Sequence, residues 1–294
     1  MTPPPRVSVI IATYNWSSVL PFAIRSVLAQ SMPDFELLVI GDGCTDDSEQ
    51  VVTAIEDSRI RWINLPANTG HQSGPNNRGL QEARGEFIAY LGHDDLWLPH
   101  HLACTTDRLA ETGGDIVHTL LIRVAPGRHV GSPVLPMPQH GIGAPPSCTM
   151  HSRRVTETIG GWGDYRLLDN PPEVDLHHRA LAAGFTVTFA PRLSVIKFSA
   201  SQRKDVYKDK PSHEQAAWWE RIRAEKDFEA TQLVSMIMTD EVTRVMPARK
   251  LIRILLQELR KRLLWRLSPE SGLRAIFWKA RGGGIGRQKK YKGL

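Results

Sequence analysis

The residues best suited to chemistry are carboxylates that fall where apolar runs stop. Gly85-Glu-Phe-Ile-Ala-Tyr-Leu-Gly-His-Asp-Asp-Leu-Trp97 reads as a buried strand that closes on Asp94 and Asp95. Two adjacent carboxylates at a strand's carboxyl end can share a hard divalent cation, Mg²⁺ or Mn²⁺, that bridges a diphosphate. They can equally cap a helix, since Leu-Trp-Leu-Pro comes next. Asp42 stands between two glycines after another apolar run. Its carboxylate can accept from a base N–H or a ribose hydroxyl, or simply belong to a Gly-Asp-Gly turn. Tyr14 can stack on a base or only pack at an edge. Glu173 and Asp175 follow the turn-rich Gly160–Gly163 and Asp169–Pro172. A carboxylate there can act as a general base or merely favour the first helical turn. His177 and His178 are neighbours, so a helix cannot aim both at one metal; they read as packing or surface residues.

The elements that would position these groups alternate. Val7–Ala12 is a β-branched strand, and Ser17 or Ser18 can cap a helix running to about Gln30. Phe35–Ile40 is a second strand, ending at Gly41-Asp-Gly43. A helix starts at Asp46 or Ser48, Ile60–Leu65 is a third strand, Asn76–Arg84 a helix and Glu86–Leu91 a fourth strand. Such alternation predicts an α/β fold with a mostly parallel sheet flanked by helices, in which ligands bind at the carboxyl ends of strands. Tyr14, Asn15, Asp42 and Asp94-Asp95 all fall at that edge. Residues 125–146, rich in Pro and Gly, read as a long irregular loop of the functional or mobile kind. Ordered structure resumes at Thr156–Trp162, followed by a helix over Val174–Ala183 and a strand over Phe185–Ala190. Helices dominate from Ser212.

Charge is divided unevenly. The 294 residues carry +6, but residues 244–294 hold 15 Lys+Arg against 2 acids, leaving −7 on residues 1–243. A helix over Pro247–Leu267 has Ala248, Ile252, Leu255, Leu256, Leu259 and Leu263 at helical spacing among arginines and lysines. It can lie on an anionic bilayer or pack on the main body. Residues 281–294 are expected to be disordered. No aromatic-interleaved platform accompanies the basic tail, which argues against nucleic acid. The three cysteines show no metal or redox spacing, and the first residues lack a secretory apolar stretch, so a cytoplasmic protein is expected. No Gly-x-Gly-x-x-Gly or Gly-x-x-x-x-Gly-Lys-Ser/Thr is present, which excludes the common glycine cradles for phosphate.

In order and spacing, Val7–Asn15, Ser26–Gln30, Asp34–Gly43, Asn68–Gly70, Asn77–Leu80, Ala83–Leu91, His93–Asp95, Gly160–Trp162 and Glu173–Leu176 resemble family 2 glycosyltransferases of the GT-A fold. The resemblance covers roughly residues 5–200. It implies a catalytic domain over residues 1–210, with a donor half at about 1–100 and an acceptor half at about 101–210. Residues 211–294 would be a helical, basic extension. It further implies inverting transfer of a sugar from a nucleotide-sugar, commonly UDP-linked, to a sugar, lipid-linked or small-molecule acceptor, as in cell-surface polysaccharide or glycolipid synthesis. Ala12, Tyr14, Asn15, Asp42, Gly43, Asn77 and Asp94 would line the donor, with Tyr14 and Asp42 at the base and Asp94 near the ribose. Asp95 would hold Mn²⁺ or Mg²⁺, and Glu173, with Asp175 in reserve, would be the base. The location implied is cytoplasmic, peripheral on the inner face of the membrane.

Three positions depart from the family pattern. Gly92 stands where relatives often carry an acid, Pro172-Glu173 replaces Glu-Asp, and Lys197–Ser201 lacks the late His. Lys197, Arg203 or Lys204 could neutralise phosphate instead, or His213 could swing in. The departures leave open a non-catalytic GT-A-like domain that binds nucleotide or tethers a partner.

Overall fold

The computed structural model describes residues 3–125, 128–130, 144–198, 203 and 205–235. Four strands come from the first 92 residues: β1 (Val7–Thr13), β2 (Phe35–Gly41), β3 (Ile60–Asn64) and β4 (Phe87–Gly92). β1 pairs in parallel with β2 and β4, and β2 with β3. Their apolar runs suit strands covered on both faces. The period-two alternation sends Val9, Ile11, Leu37, Val39, Ala89 and Leu91 to one face. Ile10, Leu38, Ile40, Ile88 and Tyr90 go to the other. Each fully buried side chain of this size contributes about 1.5–3 kcal/mol.

Helices α1 (Leu20–Leu28), α2 (Ser48–Thr53) and α3 (Ser73–Glu82) connect these strands. α1 starts later than expected and without a serine cap; Pro21 occupies its first turn. Ser17 instead gives its backbone N–H to Asp46 Oδ2 at 3.1 Å, tying the loop after β1 to the loop after β2. α3 begins three residues before Asn76.

The second half comprises β5 (Leu96–Trp97), α4 (His101–Thr112), β6 (Ile116–Ala125), β7 (Arg128–Val130), a 3₁₀ turn (Pro146–Cys148), β8 (Thr149–Ser152), α5 (Arg153–Ile159), α6 (Pro172–Ala182), β9 (Val187–Phe198), α7 (Val206–Asp209) and α8 (His213–Ala224). All nine described strands form one sheet, ordered β3-β2-β1-β4-β8-β6-β9-β5, with β7 beside β6. β8 runs antiparallel to both β4 and β6, β6 and β9 are parallel, and β5 runs antiparallel to β9. The sheet is therefore parallel on the β1–β4 side and mixed beyond it.

Two expectations need correction. Residues 128–130 of the expected loop form β7, paired antiparallel with β6, while 126–127 and 131–143 lie outside the described residues. The last strand does not stop at Ala190. Register shifts around Leu120 absorb Pro191, and β9 continues to Phe198. The expected helix over 247–267, the tail over 281–294 and Lys204 lie outside the described residues.

Candidate active site

Parallel register sets Thr13 beside Gly41, Gly41 beside Asn64, and Ala12 beside Gly92. The segments after these residues therefore open at one sheet edge. Asp42 is buried, and its Oδ1 accepts the Thr69 N–H at 2.9 Å and the Thr69 hydroxyl at 2.8 Å. Oδ2 has no partner among the described residues. Gly43 has φ 72°, and a Cβ there would stand 2.5 Å from the backbone of Ala67 and Asn68, so only glycine fits. Tyr14 is 47% exposed, while Ala12 is half-buried near the end of β1.

Two expected donor ligands are committed elsewhere. Asn15, at φ 45°, accepts the N–H groups of Thr45 (2.7 Å) and Asp46 (3.3 Å) and thereby shapes the loop after β2. Asn77 clamps the turn after α5, accepting the Trp162 N–H at 2.8 Å and donating to the Trp162 carbonyl at 2.9 Å. Their amides are used before a ligand arrives.

Asp94 and Asp95 do not cap a helix, because β5 follows at once and α4 begins only at His101. The antiparallel register pairs Leu96 with Ile196 and Trp97 with Val195. One step further it sets Asp95 opposite Lys197. The Lys197 Nζ lies 2.8 Å from Asp95 Oδ2, which also accepts the Ser147 hydroxyl at 2.5 Å. Asp95 Oδ1 accepts the Phe198 N–H at 3.1 Å. Ser147 is itself held, accepting the Gly92 N–H at 3.1 Å while its carbonyl accepts the Trp97 indole N–H at 2.7 Å. A Cβ on Gly92 would stand 2.8 Å from Asp95 Oδ2 and 3.2 Å from Asp94 Oδ1, so this carboxylate packing requires glycine.

The Asp94 carboxylate has no side-chain partner among the described residues; its carbonyl accepts from Gln215 at 3.2 Å. Burial and then the Asp95 charge push its carboxyl up to about 7, against the pull of Lys197. Burial disfavours the Lys197 charge, but Asp95 and Asp94 outweigh it and hold the ammonium above the ordinary lysine range. Burial pushes the neighbouring His93 down to about 4, so it is neutral, 2.9 Å from the Thr13 hydroxyl.

The two candidate bases separate by their partners. Asp175 Oδ2 binds the Arg179 guanidinium at 2.8 Å, and Arg179 donates to the carbonyls of Ile159 and Gly161, both at 2.6 Å. Asp175 therefore fixes the turn after α5. Glu173 has no side-chain partner among the described residues. Burial raises its carboxyl above the ordinary glutamate range, opposed by a backbone N–H and by the Lys197 charge. His177 is buried, with Nε2 3.1 Å from His118 Nε2, while His178 is exposed; both are as the helix spacing predicts. Arg203 is paired with Glu214 at 2.6 Å, and His213 is exposed at the start of α8.

Beside this edge lies a pocket of about 240 Å³. His71, stacked on Tyr165 at 5.2 Å, lines it with Arg166, which donates to the Thr69 carbonyl at 3.0 Å. Sequence reasoning missed Ser147, which no motif marks, and gave no role to Thr69, although it lies within the Asn68–Gly70 motif. It also expected a divalent centre on Asp95. Among the described residues no three His, Cys, Asp or Glu side chains converge as metal ligands. A divalent ion on Asp95 would have to displace the Lys197 ammonium or share its carboxylate with that charge. The residues present do not fit such a centre.

A parallel β1–β4 unit joined through an antiparallel strand to a mixed second half, with carboxylates where the two meet, defines the GT-A class. The same fold occurs in Staphylococcus aureus TarS residues 1–349, solved with UDP-GlcNAc: 18% identity, TM-score 0.57, over 77% of this chain and 69% of that one. It also occurs in a Pyrobaculum calidifontis mannosyltransferase solved with GDP-Man and Mn²⁺: 14% identity, TM-score 0.56, over 99% and 87%. The family model "Glycosyl transferase family 2" matches residues 8–157, and the chain belongs to that family. An uncharacterised glycosyltransferase of Nostoc sp. is 43% identical over 100 residues, covering 33% of this chain and 30% of that protein. A Campylobacter jejuni GalNAc(5)-diNAcBac-PP-undecaprenol beta-1,3-glucosyltransferase is 33% identical over 123 residues, covering 40% and 39%. The chain thus spans well under half the length of these relatives.

Proposed function

We propose that the protein is an inverting glycosyltransferase that moves a sugar from a UDP-sugar to a hydroxyl of a lipid-linked glycan acceptor. The observation that carries this reading is Glu173: a half-buried carboxylate in the first turn of α6, without a side-chain partner among the described residues, whose affinity for a proton burial raises and the Lys197 charge opposes. On this reading residues 1–100 form the donor half and 101–210 the acceptor half. The exposed ring of Tyr14 stacks on the nucleobase, and the open Oδ2 of Asp42 accepts a base N–H. Asp94 faces the ribose hydroxyls. Glu173 takes the proton from the acceptor hydroxyl as its oxygen attacks the anomeric carbon from the face opposite the diphosphate. The new C–O bond forms as the bond to the phosphate oxygen breaks, and the nucleoside diphosphate leaves with the electron pair.

A lipid-linked acceptor is supported by relatives whose names specify undecaprenol-linked substrates, the C. jejuni protein and an Escherichia coli beta-1,3-glucosyltransferase. No helix among the described residues is long and apolar enough to cross a membrane. The protein would then act on the inner face of the membrane as a peripheral enzyme, with the basic segment 247–267 against anionic lipid.

The test is a panel of UDP-sugars incubated with a diphosphopolyprenol-linked sugar. Expected is nucleoside diphosphate release matched by one glycosidic product of inverted configuration, lost in Glu173→Gln while UDP still binds. A wild-type chain that binds UDP yet transfers from no donor would instead be a non-catalytic nucleotide-binding domain.

A further inference from the structure

The donor reading leaves a charge question. A diphosphate needs positive charge beside it, and the carboxylate expected to recruit a divalent ion is already closed on Lys197. We propose that the Lys197 ammonium, anchored by Asp95, is the resident cation for the donor diphosphate, so that nucleotide binding needs no divalent metal. This rests on the donor-site reading given above.

Four features of the cluster support it. First, Asp95 is fully buried and saturated on the side facing Lys197, with Ser147 and the ammonium on Oδ2 and the Phe198 N–H on Oδ1. That fixes the ammonium at the strand end instead of leaving it on a swinging side chain. Second, Lys197 gives only one hydrogen bond among those described, to Asp95, and its side chain remains 23% exposed. Two of its three N–H groups are left for oxygens that arrive from outside. Third, the parallel pairing of β6 with β9 sets Arg123 directly beside Lys197, which adds a second positive charge along the same edge.

Fourth, two sequence departures meet here. The glycine at 92 leaves room for Asp95 to fold back toward Lys197, and a side chain at that position would drive into both carboxylates. Gly92 and Lys197 thus form one steric and electrostatic unit.

The experiment is calorimetric titration of the full-length protein with UDP, once in EDTA and once in MnCl₂. The wild type is expected to bind with affinities within about threefold of each other in the two buffers. Lys197→Met should lose about tenfold or more in EDTA, as expected for a charge-assisted hydrogen bond to phosphate. Because that variant leaves Asp95 buried without its partner, Lys197→Met/Asp95→Asn is measured beside it. The double variant should recover the melting temperature without recovering UDP affinity. Lys197→Arg, which keeps the charge, should retain most of it. Binding abolished by EDTA and restored at least tenfold by Mn²⁺, or Lys197→Met binding UDP like the wild type, would overturn the inference and leave the donor site intact. No UDP binding in any buffer would overturn the donor site itself, and this inference with it.

Discussion

Two buried polar clusters sit at opposite ends of the same parallel strands, built from the same residue types, yet only one looks chemical. At the amino end, Glu36 Oε1 accepts the Ser8 hydroxyl and the Arg84 N–H, each at 2.7 Å. Its Oε2 takes the Arg84 side chain at 2.9–3.0 Å. Ser8 in turn accepts the Gly85 N–H at 2.8 Å. Every oxygen is used, as a buried carboxylate fixed for stability should be. At the carboxyl end, Asp42 keeps one open oxygen, Lys197 keeps two N–H groups, and the Asp94 and Glu173 carboxylates have no side-chain partner among the described residues. Unused hydrogen-bonding capacity is costly in a folded chain unless a ligand completes it. Saturation, more than residue type, separates the two clusters.

The sharpest way to break this contrast is to neutralise one carboxylate from each. Glu173→Gln is expected to lower kcat by about 10²–10⁴, the usual worth of a positioned base, with little change in melting temperature or UDP affinity. A drop below tenfold would remove Glu173 from the base role. Glu36→Ala should do the reverse. It strands the Arg84 N–H and the Ser8 hydroxyl and should cost about 2–3 kcal/mol of stability, read by urea denaturation, while kcat of the folded fraction stays unchanged. A selective effect on kcat would erase the distinction between the two ends.

How much of this was legible in the sequence follows the same division. β1, β2 and β4 announce themselves because each is a local apolar run, ended by Thr13-Tyr14-Asn15, Gly41-Asp42 and Gly92 respectively, and parallel order then puts Tyr14, Asp42 and Asp94 on one edge. Asn77 was assigned to the donor by motif order, but whether its amide is free depends on Trp162, 85 positions away. Lys197 was named only as a possible counter-charge. Its fixed place depends on β5, two residues long, pairing with a strand about a hundred positions later, and on a bulge that carries β9 past Pro191. Neither leaves a local periodicity. Ser147 sits in a Pro-rich stretch where hydroxyl residues are ordinary. The donor edge was readable because its contacts are regular. The cation and base side was not, because its contacts span the chain.

A smaller effect should distinguish the ends by pH. Glu173 accepts a proton only when ionised, and both it and Asp94 are raised by burial, so activity should rise with pH through an acid limb above the ordinary carboxylate range. With Asp94 at about 7, kcat/KM should already be falling below neutrality, and Asp94→Asn should remove that component. Stability runs the opposite way. A carboxyl raised on folding keeps its proton longer in the folded chain than in the unfolded one, so its contribution declines as pH rises toward about 7 and is level above. Melting temperature measured across that range, wild type against Asp94→Asn, checks the sign. A steeper decline in the variant would contradict it.

The smallest effect tests whether proximity alone marks a catalytic acid. Asp175 lies two residues from Glu173 in the first turn of the same helix, and sequence alone could not choose between them. Its carboxylate is bound to Arg179, which holds the Ile159 and Gly161 carbonyls and so the backbone of the turn that Asn77 clamps from the other side. Asp175→Asn keeps the shape but weakens that pair, which is partly exposed to solvent. It should cost about 1 kcal/mol of stability and lower kcat less than tenfold, with no shift in the acid limb. Because the turn also lines the pocket beside the donor edge, any activity change should appear mainly in the acceptor KM. A loss in kcat as large as that of Glu173→Gln, with the acid limb abolished, would move the base to Asp175. It would also show that a carboxylate already paired with arginine can be released when substrate binds, which would end the use of saturation as a guide to this site.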